Sequence, residues 1–262
     1  MSSSNEVPQE RGRYEANAGP NSQDAEGLDD RDDGSAESVQ AALVSDTMRD
    51  VCINPEPLVM RKITREGLDL DYIKFFAKST ADYIFRRLES EVEYFTGDLL
   101  KIRIYGKWRT IPRKQVSYGD KGMVYAFSGI RLPAKPWTSL LQHLRDLVSR
   151  QTGHRYNFVL VNRYNDGSDH IGEHRDDEKD LDHRVPIASL SFGQPRDFVL
   201  KHGDARRKLR HVEPVKICLE HGSLLLMNPP TNRYWYHSLP PRKAALGPRV
   251  NLTFRRLHVQ NR

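Results

Sequence analysis

Residues 249–255 read R-V-N-L-T-F-R. Arg249, Asn251, Thr253 and Arg255 alternate with Val250, Leu252 and Phe254. A period of two predicts a β-strand with one wholly polar and one wholly apolar face. An ordinary edge strand would turn the polar face to water. The other reading is that this face lines a pocket for a small dicarboxylate, because guanidinium groups bind carboxylates through paired hydrogen bonds.

The same period recurs upstream in N-F-V-L-V-N-R-Y (157–164), P-I-A-S-L-S-F-G (186–193), R-D-F-V-L-K-H (196–202) and G-S-L-L-L-M-N (222–228). Turn residues separate these runs: D-G at 166–167, Q-P at 194–195, H-G at 221–222 and P-P at 229–230. Many short strands with such punctuation predict a sandwich, jelly roll or barrel. Two helices precede them. One is predicted over 79–95, capped by Ser79 or Thr80, with Ile84, Leu88, Val92 and Phe95 on one face. The second begins near Pro136 and stops at Gly153. The expected fold is mainly β with flanking helices (α+β), a jelly roll behind N-terminal helices.

The 262 residues carry 41 Lys+Arg and 35 Asp+Glu, unevenly distributed. Residues 1–50 hold 12 acids and 4 basic residues, which leaves 23 acids and 37 basic residues in 51–262. A basic domain suits a polyanion partner. The acidic segment is polar and has one aromatic, Tyr14. It cannot bury enough apolar surface to offset its ordering entropy. We therefore expect a disordered tail over 1–55 and one domain over 56–262. Two cysteines, Cys52 and Cys218, make neither a disulfide framework nor a zinc pattern. No apolar run approaches the roughly 20 residues of a membrane span, and the N-terminus lacks an apolar signal core. A nuclear, membrane-free monomer is expected.

H-I-G-E-H-R-D-D-E, residues 170–178, packs two histidines and four acids into nine positions. In an extended segment His174 and Asp176 point the same way. His237, in Y-W-Y-H-S-L-P, can complete a set of two histidines and one carboxylate. That set suits non-haem iron(II) and leaves positions open for cosubstrate and oxygen; zinc is the main alternative. Asn162 and Tyr164 share a strand face just ahead of this segment and can bond the same ligand.

These motifs together resemble the AlkB family of iron(II)/2-oxoglutarate-dependent dealkylases, and most its nuclear DNA-repair branch, the AlkB homologue 2 type. The resemblance spans roughly residues 60–258 and includes G-K-W, P-R-K-Q and F-S-G. It implies a double-stranded β-helix with a DNA-contacting loop layer. It implies Fe(II) on His174, Asp176 and His237. Asn162, Tyr164, Arg249, Asn251, Thr253 and Arg255 would form the 2-oxoglutarate site, with either Arg on either carboxylate. The implied reaction uses O2 to demethylate 1-methyladenine or 3-methylcytosine in DNA through base flipping, and ascorbate supports it.

The resemblance also implies DNA contacts. R-I-Y-G-K-W resembles a finger loop that fills the gap left by the flipped base, with Tyr105 at its tip between Ile104, Gly106 and Lys107. Y-A-F-S-G resembles a lid, giving Tyr125, Ala126, Phe127 and Ser128. Asp177 and Glu178 would read the positively charged lesion; either could instead pair with Arg175. Arg113, Lys114 and the run K-H-G-D-A-R-R-K-L-R-H (201–211) are expected on phosphates. The tail shows no sliding-clamp motif, and K-F-F-A-K (74–78) only approaches one. An oxygenase of RNA or protein and a non-catalytic nucleic-acid-binding module are the competing readings.

Overall fold

A computed structural model describes residues 58–258 except Tyr105, Ser128 and Gly129. The expected boundary between residues 55 and 56 lies outside them. β1 (Met60–Arg65) and β2 (Leu68–Lys74) form a hairpin ahead of α1 (Lys78–Glu91). Two further hairpins flank β5 (Lys114–Gly119). They are β3 (Lys101–Ile104) with β4 (Lys107–Thr110), and β6 (Val124–Phe127) with β7 (Ile130–Pro133). α2 (Ser139–Thr152) leads into β8 (Phe158–Tyr164) and β9 (Ile171–His174). Then come β10 (Ile187–Gly193), β11 (Arg196–His202), β12 (Val215–Leu219), β13 (Ser223–Met227), β14 (Trp235–Leu239) and β15 (Arg249–Arg255).

Seven strands form one antiparallel sheet in the order β1-β2-β13-β10-β15-β8-β5, and four form another in the order β12-β11-β14-β9. From β8 onward the chain passes back and forth between the two sheets, which is jelly-roll topology. The core follows from register. Ala188, Leu190 and Phe192 of β10 stand opposite Phe254, Leu252 and Val250 of β15. Val159 and Val161 of β8 continue the same face. All are fully buried, in one cluster with Ile84 and Leu88 of α1 and Leu141 and Leu144 of α2. Each buried Val, Leu, Ile or Phe among them contributes roughly 1.5–3 kcal/mol on leaving water.

The opposite face of the large sheet is polar yet buried. Every residue of β15 is buried. The edge-strand reading therefore fails: the polar face turns inward, toward the small sheet.

The helices depart from expectation at their ends. α1 stops at Glu91, and neither Ser79 nor Thr80 caps it. Phe95 still reaches the core, but from an extended segment whose N–H donates to Gln115 O along β5. α2 starts later than Pro136, because the Thr138 side chain accepts the Leu141 N–H and becomes its cap. Gly153 ends it in the left-handed region as expected. The β1–β2 hairpin precedes both helices and was not predicted. Phe75 and Phe76 of K-F-F-A-K are core residues. Within 201–211, Gly203–Arg206 is a short helix rather than loop. Among the described residues no helix is long and apolar enough to cross a membrane.

Gly167 locks the approach to β9. Its N–H donates to Ala245 O and its carbonyl accepts the Arg242 N–H. A Cβ there would lie 1.8 Å from Arg242 O. Gly167→Ala should therefore destabilise the fold by about 1–3 kcal/mol, the usual cost of overpacking. Denaturant unfolding checks this, and an unchanged midpoint would show that the two loops part freely.

Candidate metal and cosubstrate site

The two histidines meet because their strands pair. His237 of β14 is the direct cross-strand partner of His174 of β9, and their ring centroids lie 4.3 Å apart. Asp176 lies two residues past His174, beyond the end of β9, and its carboxylate turns to the same side as the imidazole. His174 Nε2 lies 3.9 Å from Asp176 Oδ1, and His237 Nε2 lies 4.0 Å from Oδ2. These gaps are too long for hydrogen bonds. They suit one ion held at about 2.0–2.2 Å from each ligand. The His174 Nδ1–H donates to Gly172 O at 2.9 Å, which leaves Nε2 with a lone pair for a metal. His237 and Asp176 are buried, whereas the His174 side chain keeps 35% of its area open. The site therefore opens past His174.

Charge favours a cation here. Burial, and then His174, push the His237 pKa down to about 3. Burial alone would raise Asp176, but Arg255, His237 and His174 outweigh it and hold the carboxyl at about 2. At neutral pH the set is two neutral imidazoles and one carboxylate. Asp176 Oδ2 and His237 Nδ1 are buried without hydrogen-bond partners. A buried carboxylate oxygen with no partner is costly, and a bound divalent cation would remove that cost. The residues fit a metal.

β15 builds the pocket floor. Arg255 Nη2 donates to Asp176 Oδ1 at 3.1 Å, both groups buried. Arg255 thus aims the carboxylate of the candidate metal set. Arg249, at the other end of the strand, donates from Nη2 to Ser191 Oγ at 2.9 Å. Its guanidinium sits 5.2 Å from the Tyr164 ring centroid. Burial lowers its pKa to about 10, so it stays charged. No acidic side chain pairs with it among the described residues, and its Nε has no partner. A buried cation without an anion is a binding site for one. Asn251 bonds Ser189 Oγ and Leu190 O, and Thr253 donates to Asn251 Oδ1. Asn162, opposite Asn251 on β8, accepts from Arg113 Nε at 2.8 Å.

Known sequences agree with this arrangement. The 2OG-Fe(II) oxygenase superfamily pattern matches residues 71–255. The chain belongs to the 2OG-Fe(II) oxygenase superfamily. Its AlkB relatives include the mouse (Mus musculus) protein called DNA oxidative demethylase ALKBH2, 59% identical over 199 residues, covering 75% of this chain and 83% of that one. The human (Homo sapiens) protein of the same name is 58% identical over 75% of this chain and 76% of its own length. The human alpha-ketoglutarate-dependent dioxygenase alkB homolog 3 is 37% identical, over 58% of this chain and 54% of its own. Membership in this oxygenase superfamily implies Fe(II), 2-oxoglutarate and O2, which favours iron over zinc for the His-Asp-His set.

In this oxygenase, one pocket gathers all three expected metal ligands and all six expected cosubstrate residues. Tyr125 and Glu178 line it too, with the Tyr125 hydroxyl donating to Glu178. Other expectations change. Arg113 is no phosphate contact: it is buried in the pocket wall, spent on Asn162 and His170 O. Asp177 turns away from the pocket into an adjoining groove and accepts from Arg175 at 3.3 Å, as the pairing alternative anticipated. Of these two acids, only Glu178 joins Asp176 in lining the pocket. In the 201–211 run, Lys201 and Arg206 pair with Glu173, and Arg207 and Arg210 with Asp204. Gly106 and Lys107 sit exposed at the β3–β4 turn, and Ala126 is half-buried on β6. Tyr105 and Ser128, and the side chains of Ile104 and Phe127, lie outside the described residues.

Sequence reasoning missed Ser189 and Ser191, which hold Asn251 and Arg249. Their alternation in P-I-A-S-L-S-F-G carried the signal. It also missed Arg196, whose guanidinium donates to Asp166 O, Asp169 O and Pro240 O and so fixes the segment leading to β9.

Proposed function

We propose that the protein removes N-methyl groups from 1-methyladenine and 3-methylcytosine in duplex DNA, acting as a nuclear monomer. The observation that carries this reading is one pocket holding a His-Asp-His set, an unmatched buried arginine and a carboxylate beside an aromatic ring. Two relatives called DNA oxidative demethylase, at 58–59% identity, support DNA as the substrate. His174, Asp176 and His237 would hold Fe(II), which supplies oxygen activation coupled to decarboxylation of 2-oxoglutarate. One oxygen atom ends in succinate. The other converts the N-methyl to a hydroxymethyl group, which leaves as formaldehyde.

The chain's own residues do the positioning. Arg249, with Ser191 and Tyr164 beside it, takes the distal carboxylate of 2-oxoglutarate. Arg255 holds Asp176 in its ligating orientation. Glu178 reads the base: its Oε2 has no hydrogen-bond partner. Burial and the Asp176 charge raise the Glu178 pKa to about 7. A methylated, cationic base brought alongside favours its ionised form, and an exocyclic amine can donate to it. A neutral, undamaged base gains less, which gives selectivity.

A base in a duplex reaches this pocket only by flipping, at a cost of a few kcal/mol. We assign the wedge that fills the gap to Tyr105, which lies in the sequence between β3 and β4. Tyr105→Ala should slow formaldehyde release from duplex 1-methyladenine at least about tenfold, the equivalent of ~1.4 kcal/mol. It should leave the same single strand nearly untouched. Equal losses on both would refute the wedge and the duplex preference with it.

A further inference from the structure

A second basic surface lies outside everything assigned above. A groove of about 550 Å³ runs between the C-terminal half of α2 and the ends of β8 and β15. Arg150, Arg155 and Arg256 line it and are exposed. Its two acids, Asp120 and Asp146, are engaged by Arg145 at 3.7 and 2.8 Å. Arg145 itself lies over the Trp137 ring. Arg150 and Arg155 have no acidic partner among the described residues, and Arg256 has only Asp182, at 3.9 Å. The groove therefore presents three guanidiniums and little to neutralise them. Its floor includes Tyr156, which is 4% exposed.

The groove is linked to the pocket through the ends of β8 and β15. Arg256 follows Arg255, whose side chain reaches Asp176. The Asn157 N–H donates to Arg255 O. The next residue, Phe158, packs 5.2 Å from Tyr125, the ring beside Glu178.

We propose that this groove is a phosphate-binding subsite for the lesion-bearing strand, built on Arg150, Arg155 and Arg256. It would anchor a backbone phosphate flanking the flipped nucleotide, while the pocket itself handles the base. The inference rests on the DNA reading above. Arg150 also lies in the last turn of α2, where a cation suits the helix dipole. That purely structural role would not alter how DNA binding responds to salt.

The test uses the full chain and its Arg150→Gln/Arg155→Gln variant, two exposed changes outside the pocket. Affinity for a duplex bearing 1-methyladenine is measured by fluorescence anisotropy over a salt series. The slope of log affinity against log salt should become shallower by about one for each lost phosphate contact. Neutral methylphosphonates placed singly along the lesion strand then locate the contact. One position should weaken wild type but not the variant. Identical slopes and identical methylphosphonate profiles would overturn the subsite. Wild-type demethylation of the same duplex is followed in parallel. Binding without demethylation would sink the proposed function while the slopes still decide the groove. A wild type that binds no DNA would sink both.

Discussion

His237→Ala brings 2-oxoglutarate turnover and base demethylation to background. The two imidazoles are cross-strand partners, so losing one leaves His174 and Asp176 facing an incomplete ion site. Changes that merely disturb the residues around metal ligands typically cost 10–100-fold in metal affinity or activity. Removing a ligand outright should exceed that range. The fold should survive, because His237 is flanked by Phe198 on β11 and the rest of the strand pairing needs only its backbone. Circular dichroism and thermal melting would verify that. Iron content after dialysis should fall together with activity. A folded variant that keeps iron and works within tenfold of wild type would mean the ligand set is wrong.

Arg249→Met should separate cosubstrate binding from everything else. Removing one partner of a buried, hydrogen-bonded charge pair costs 2–5 kcal/mol. At 1.4 kcal/mol per decade, the apparent KM for 2-oxoglutarate should rise at least ~30-fold. Affinity for DNA should hold, because Arg249 is buried at the pocket floor. Without ligand, Arg249 is a desolvated cation with no anion, which burdens the fold. The cosubstrate-free variant should therefore melt no lower than wild type. An unchanged KM would remove Arg249 from the cosubstrate site; a weaker ligand-free fold would show that its bonds to Ser191 and Tyr164 outweigh its desolvation.

How much of this was legible in the sequence depends on the range of the interactions involved. The β15 pattern is local, so its strand and its two faces could be read directly. Which face met the core could not. That depended on register with β10, where Ser189 and Ser191 oppose Thr253 and Asn251. The His174–His237 pairing joins two short strands far apart in the chain, and neither strand has enough residues to show a period. Arg113 was misread because a charged residue in a polar run looks exposed, while its partner Asn162 lies 49 positions away. Asp177 and Glu178 were read as equivalent, although only Glu178 lines the pocket and Asp177 accepts from Arg175 instead. The α1 cap failed for a different reason. Ser79 and Thr80 are good capping residues, but the helix had already begun at Lys78.

The central claim is that the pocket between the two sheets removes methyl groups from DNA bases. The most direct test incubates a duplex with one 1-methyladenine with the protein, Fe(II), 2-oxoglutarate, ascorbate and air, and follows the oligonucleotide by mass spectrometry beside His174→Ala. Wild type should remove one methylene's mass from the modified strand, restoring adenine and releasing formaldehyde and succinate in equal amounts, and the variant should do neither. A modified strand of unchanged mass, with folded iron-loaded wild type still making succinate, would contradict the account and turn the search to RNA or protein substrates.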